Sequence, residues 1–170
     1  MPRTHIALTL AASLLAIAPL RALAQDASSD DKMFIKNAME ADLAEIQLSQ
    51  IVVEKSVNAD VKQFAQQMID GHTKLDEQVK PIAQKMNIAP PTELNAKHKS
   101  TKAKLEAETG AELDRNYVDA MLHAHEDAVS NFQKEASIGK DAELKQAVNQ
   151  AVPIVTEHLQ MVQKLKSSLK

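Results

Sequence analysis

The chain has no cysteine, no tryptophan, one tyrosine, three phenylalanines and three glycines among its 170 residues. Without cysteine there is no disulfide, no thiolate metal ligand and no lipoprotein anchor. A metal site here must use His, Asp, Glu or Met. The shortage of aromatics, together with an acidic charge balance, argues against nucleic-acid binding. The scarcity of glycine beside abundant Ala, Val, Leu, Ile and Met predicts an all-α domain with a modest aliphatic core.

Long apolar runs are also missing. The longest, Ile6 to Leu20, is too short for a comfortable membrane span. It follows a short basic start (Arg3, His5) and precedes the small-x-small signal Ala22-Leu23-Ala24. This pattern predicts a secretory signal peptide over 1–24, cleaved near Ala24. The product is a periplasmic or secreted chain, 25–170, forming one domain without a stable membrane span. Cleavage removes Arg3 and Arg21 but no acid, which takes the formal net charge from −3 to −5.

Four long amphipathic segments follow. They are expected at about 32–55, capped by Asp30 or Asp31; 59–86, capped by Asn58; 112–137, ending before Gly139; and 142–168, capped by Asp141. The first and third connectors are a few residues long, which implies antiparallel neighbours. The middle connector, from Asn87 to Ala111, is much longer. Pro90-Pro91 is expected to stop the second helix, Thr92 to cap a short helix through Glu108, and Gly110 to end it. A connector of this length can run back along a bundle. The expected architecture is therefore a ferritin-like antiparallel four-helix bundle with a long helical crossover between its second and third long helices. An up-down-up-down bundle with an ornamented loop is the alternative. Pro81 and Pro153 each remove a helical hydrogen bond from within a segment.

Steps of three and four trace one seam per helix. They read Phe34, Ala38, Ala41, Glu45, Leu48, Val52; then Val61, Ala65, Met68, His72, Leu75, Val79, Ile82, Met86; then Val118, Met121, His125, Ala128, Phe132; then Leu144, Ala147, Ala151, Ile154, His158, Met161, Leu165. Each seam is apolar but for one metal-ligand residue near mid-helix. In register, Glu45, His72, His125 and His158 form one layer. Buried imidazoles and a buried carboxylate are unfavourable unless paired or coordinated. Three histidines and a glutamate would suit Zn, Fe, Mn, Cu or Ni. The same layer without metal could fix helix register, as polar seam residues do in coiled coils. Met68, Met121 and Met161 lie one turn from the seam histidines, either as soft thioethers or as core filler. Asp70, Asp42, Glu126 and Glu157 flank the ligand positions as candidate supporting groups. His98 and His123 read as solvated. The residues three before the seam histidines are Ile69, Leu122 and Val155, so the Glu-x-x-His of di-iron bundles is missing.

The blocks "DKMFIKNAMEADLAEIQLSQI", "VKQFAQQMIDGHTKLDEQV", "GAELDRNYVDAMLHAHEDAVSNF" and "LKQAVNQAVPIVTEHLQMVQKL", in that order, resemble a bacterial family of exported ferritin-like proteins, DUF4142. The resemblance covers nearly all of the mature chain. It implies a ferritin-like bundle, an envelope location, and Glu45, His72, His125, His158 and Pro153 as family positions. Members are associated with stress, and no reaction is established for them. Gly71 stands where the family usually has an acid, and as a helix-interior glycine it weakens the helix by roughly 1 kcal/mol relative to Ala.

Two functions follow from the residues. One is metal binding at the central layer, in metal handling or stress protection. The other is a metal-free structural or interaction module of the envelope, whose His/Glu layer fixes register or senses pH. A haem bundle is a weaker third option, because Glu45 and the tight seam leave little room for a macrocycle. Whether anything is catalysed is not readable from the residues.

Overall fold

Five α-helices, and no strand, make up the described residues of the computed structural model, 27–169. The expected signal peptide lies outside them. Helix α1 spans Ser29–Lys55, α2 Ala59–Lys85, α3 Ala96–Ala107, α4 Gly110–Ile138 and α5 Ala142–Ser168.

The helix ends show which local signals prevail. Helix α1 starts at Ser28, earlier than the Asp30 or Asp31 cap expected. The Ser28 hydroxyl accepts from the Asp31 N–H, and the Asp31 carboxylate accepts from the Ser28 N–H at 3.0 Å. Asp31 is thus the far partner of a capping box and not the cap. It also accepts from the N–H groups of Lys140 and Asp141, tying the α4–α5 turn to the foot of α1. Asn58 and Asp141 cap α2 and α5 as expected.

The second helix does not wait for Pro90-Pro91. Asn87 takes a left-handed φ of 58°, and its N–H bonds to the Gln84 carbonyl while that of Ile88 bonds to the Ala83 carbonyl. These two bonds form a Schellman stop. In the crossover, Asn95 and not Thr92 caps α3. Gly110, at φ 59°, opens α4 instead of ending α3. Pro81 and Pro153 sit inside continuous helices.

Contacts between the helices fix the topology. Phe34 meets Phe132 edge-on at 5.0 Å between centroids, and Ser49 bonds to Tyr117 at 2.8 Å, so α1 and α4 are antiparallel. Lys85 pairs with Glu143, so α2 and α5 are antiparallel as well. Lys166 pairs with Asp119 across α4 and α5. Taking α1 as up, α2 and α4 run down and α5 runs up. Residues 86–109 therefore climb the whole bundle, and the ammonium of Lys55 meets the carbonyls of Leu105 and Glu106 at the top. This is the ferritin-like crossover.

The core is in two parts. Above lie Leu48, Val52, Phe64, Met68, Tyr117, Met121 and Val162. Below lie Ile35, Met39, Ile82, Leu144 and Val148, with Leu75, Ala151 and Val155 beside them. Each fully buried large side chain contributes on the order of 2 kcal/mol of transfer free energy. The lower half of α1 departs from the expected seam. Ile35, Met39 and Asp42 face the core, while Phe34, Ala38 and Ala41 are half-buried on the α4 side. In the same way, α5 buries Val148, Val155 and Val162 ahead of Ala147, Ile154 and Met161. An alternating three-and-four template has a period of 3.5 and drifts off a straight helix of 3.6.

Candidate metal centre

Between the two cores, α1 supplies Glu45, α2 His72, α4 His125 and α5 His158. All four are buried, with exposures of 4%, 4%, 0% and 5% respectively. The imidazoles form a near-equilateral triangle, with centroids 5.5, 5.2 and 5.4 Å apart. One nitrogen from each ring lies within 4.8 Å of the other two. Glu45 Oε2 sits 2.8 Å from His72 Nε2 and 3.5 Å from His125 Nε2. The four residues that the seams single out are therefore brought together.

The outer nitrogens are already engaged. His72 Nδ1 faces Asp42 Oδ1 at 2.8 Å, and His125 Nδ1 faces the Met121 carbonyl at 2.9 Å. A carbonyl only accepts, so His125 Nδ1 carries hydrogen. The Asp42 carboxylate asks the same of His72. Neutral rings in these tautomers turn two bare Nε2 lone pairs toward each other at 3.4 Å, with a carboxylate oxygen beside them. Three acceptors facing one point repel unless a cation, either proton or metal ion, lies among them. His158 adds a third imidazole whose Nδ1 is buried without a partner.

Charge follows from this crowding. Burial works against ionising Glu45, but His72 and His125 outweigh it and hold the carboxyl down at about 2. Burial also opposes a charge on His72, and Glu45 and Asp42 outweigh it, raising His72 to about 10. Asp42 is pushed upward by burial against the opposing pull of His72. His158, buried and facing two other imidazoles, is lowered to about 3 and stays neutral. Without metal, a protonated His72 pairs with Glu45 at 2.8 Å. A neutral His158 is already in its ligating form.

The supporting residues are only partly those expected. Asp70 is exposed and accepts from Gln66, so it does not support the layer; Glu126 and Glu157 also face solvent. Of the four flanking acids only Asp42 supports the layer, since three residues before Glu45 puts it on the same helical face. Met68, Met121 and Met161 share the upper core cluster. His98 stands 3.8 Å from Glu40, while His123 is exposed beside Glu126. Tyr117 is wholly buried, and its hydroxyl is held to Ser49 and not to the layer. Gly71 lies against the His158 ring, where a Cβ would come within 2.7 Å of Cε1 and 2.9 Å of Nε2.

Solved structures share the fold. A DUF305 fragment from Deinococcus radiodurans superposes with a TM-score of 0.74 at 13% identity, covering 84% of this chain and 99% of its own. A DUF305 protein from Streptomyces coelicolor, described as secreted, gives 0.70 at 12% identity, covering 83% and 94%. At such identities the likeness is one of fold. No curated protein matches the chain. The family model described as Domain of unknown function (DUF4142) matches residues 18–165, most of the chain, and the protein belongs to that family.

Proposed function

We propose that the protein binds one transition-metal ion at Glu45, His72, His125 and His158, and acts in the cell envelope in metal handling or stress protection. One observation carries this reading. The outer nitrogens of His72 and His125 are held by Asp42 and by the Met121 carbonyl, which leaves both inner nitrogens aimed at one point beside Glu45. Metal-bound histidines characteristically donate their other N–H to a carboxylate or a carbonyl in this manner. Imidazole and carboxylate donors suit Zn, Fe, Mn or Cu. Met68, Met121 and Met161 would set an apolar surround above the ion. Export is part of the proposal. It rests on the leader pattern over 1–24, on the secreted description of the Streptomyces protein, and on the lack of any membrane-spanning helix among the described residues.

A metal-free layer is the second reading. It is favoured by the 2.8 Å approach of Glu45 to His72, which a proton on His72 satisfies without an ion. Elemental mass spectrometry on protein isolated from the periplasm without chelator or affinity tag separates the two. Near-stoichiometric metal, lost in His72→Ala, is expected. Protein that stays metal-free even after loading in vitro would leave the ion-paired layer as the function-bearing form.

A further inference from the structure

We propose that the groove between α1 and α4 is the way in for the ion, with Glu45 as its inner end. The inference rests on the metal reading of the layer. The groove has a volume of about 730 Å³ and opens to solvent. Alanines from both walls line it, Ala38 and Ala41 on α1 and Ala124 and Ala128 on α4. These short side chains leave the space between α1 and α4 unfilled, whereas α1 against α2 and α4 against α5 make the close pairings of the bundle. Helix α3 covers only the upper part of the groove, where His98 and Thr101 reach it.

Of the four layer residues, Glu45 alone lines this groove. The three imidazoles lie behind it, each at most 5% exposed. An ion arriving from this side meets an oxygen donor first and the nitrogens second. The volume of the groove is enough to hold an aqua ion. Six waters occupy roughly 180 Å³ at about 30 Å³ each, well below the space available. Asp127, from the α4 wall, adds a carboxylate on the approach. The ion would exchange its waters for Glu45 and then for the imidazoles, and the His72 proton would leave to solvent as the metal takes its nitrogen.

The test uses Co²⁺, whose visible absorption reports coordination. Metal-free protein is mixed rapidly with Co²⁺, and loaded protein is mixed with excess EDTA. Ala124→Leu and Ala128→Leu narrow the groove without replacing a proposed ligand, and circular dichroism checks that each folds. The expected result is that loading and release both slow by about tenfold or more, with affinity and absorption bands unchanged. Unchanged rates in both variants would overturn the route. So would a loss of affinity with altered bands, because the alanines would then be shaping the site itself. No absorption from the wild-type protein would overturn the metal reading and the route with it, an outcome distinct from the other two.

Discussion

Gly71 and His158 compete for the same few ångströms. An alanine at 71 would favour α2 by up to about 1 kcal/mol, but its Cβ would press on the imidazole at 2.7 Å. Gly71→Ala is therefore expected to leave the melting temperature of the metal-free protein no lower and to weaken zinc binding about tenfold. Calorimetric titration beside a thermal melt checks both, and unchanged affinity would show that the glycine has no part in placing the ring. A second residue-scale effect lies at the foot of the bundle. Glu135 is pushed up to about 7, first by burial and then by the adjoining Asp31. The unfolded value is about 4.3, so the folded state binds this proton more tightly. Its contribution is whole below pH ~4.3 and is lost as pH rises through about 7. Glu135→Gln, which keeps a donor toward Asp31, should flatten the loss of stability between pH 5 and 8 in urea titrations. A variant with the wild-type slope would remove Glu135 from that account. At this scale the sequence is clear about the residues of the layer and less so about their supports. Glu45, His72, His125 and His158 each interrupt an otherwise apolar seam. Asp42 was one of four flanking acids with nothing to rank it above Asp70, Glu126 and Glu157, because a charged residue off a seam looks like any surface acid until the helix is turned to its true phase.

Helix boundaries divide in the same way. Asn58 and Asp141 were legible because each is a short oxygen-bearing residue just before an apolar period. The start of α1 was not, because Asp30 and Asp31 have the same chemistry as a cap, and only the bonds show Ser28 in that role. The end of α2 was credited to two prolines, while the stop is a single residue in the left-handed region. That correction has a consequence. Pro90→Ala or Pro91→Ala should leave α2 ending where it does, with stability little changed. Asn87→Ala should destabilise by about 1 kcal/mol, the strain of a left-handed alanine, and Asn87→Gly should not. Urea unfolding of the set decides it. Equal losses from the prolines and from Asn87→Ala would return the stop to the prolines.

For the whole molecule, the crossover was legible from one number, the length of the connector between the second and third long segments compared with its short neighbours. The open α1–α4 face was not. Phe34, Ala38 and Ala41 fit an apolar period whether they face a core or a groove, and only packing against a second helix decides between them. The layer also sets how the molecule as a whole answers acid. His158 is lowered to about 3 by burial and by His72 and His125, against about 6.5 unfolded. A histidine kept neutral in the fold contributes stability that is present above pH ~6.5 and lost as pH falls toward 3. Glu45, held at about 2 through His72 and His125, adds a loss in the same direction below pH ~4.3. Metal-free protein should therefore lose stability from the layer as pH drops from 6.5 to 4, against the opposing gain from Glu135, and His158→Gln should be flatter in urea titrations over that range. An unaltered slope in the variant would place the acid sensitivity elsewhere.

Tyr117 is the chain's sole tyrosine, and there is no tryptophan to outshine it. Its near-ultraviolet signal thus comes from one address, the upper core beside Ser49. Circular dichroism in the far ultraviolet averages all five helices. Followed together through one melt, the two signals act as a built-in pair of clocks. If the halves above and below the polar layer come apart separately, the tyrosine will keep different time from the backbone, and no dye or engineered label is required to see it.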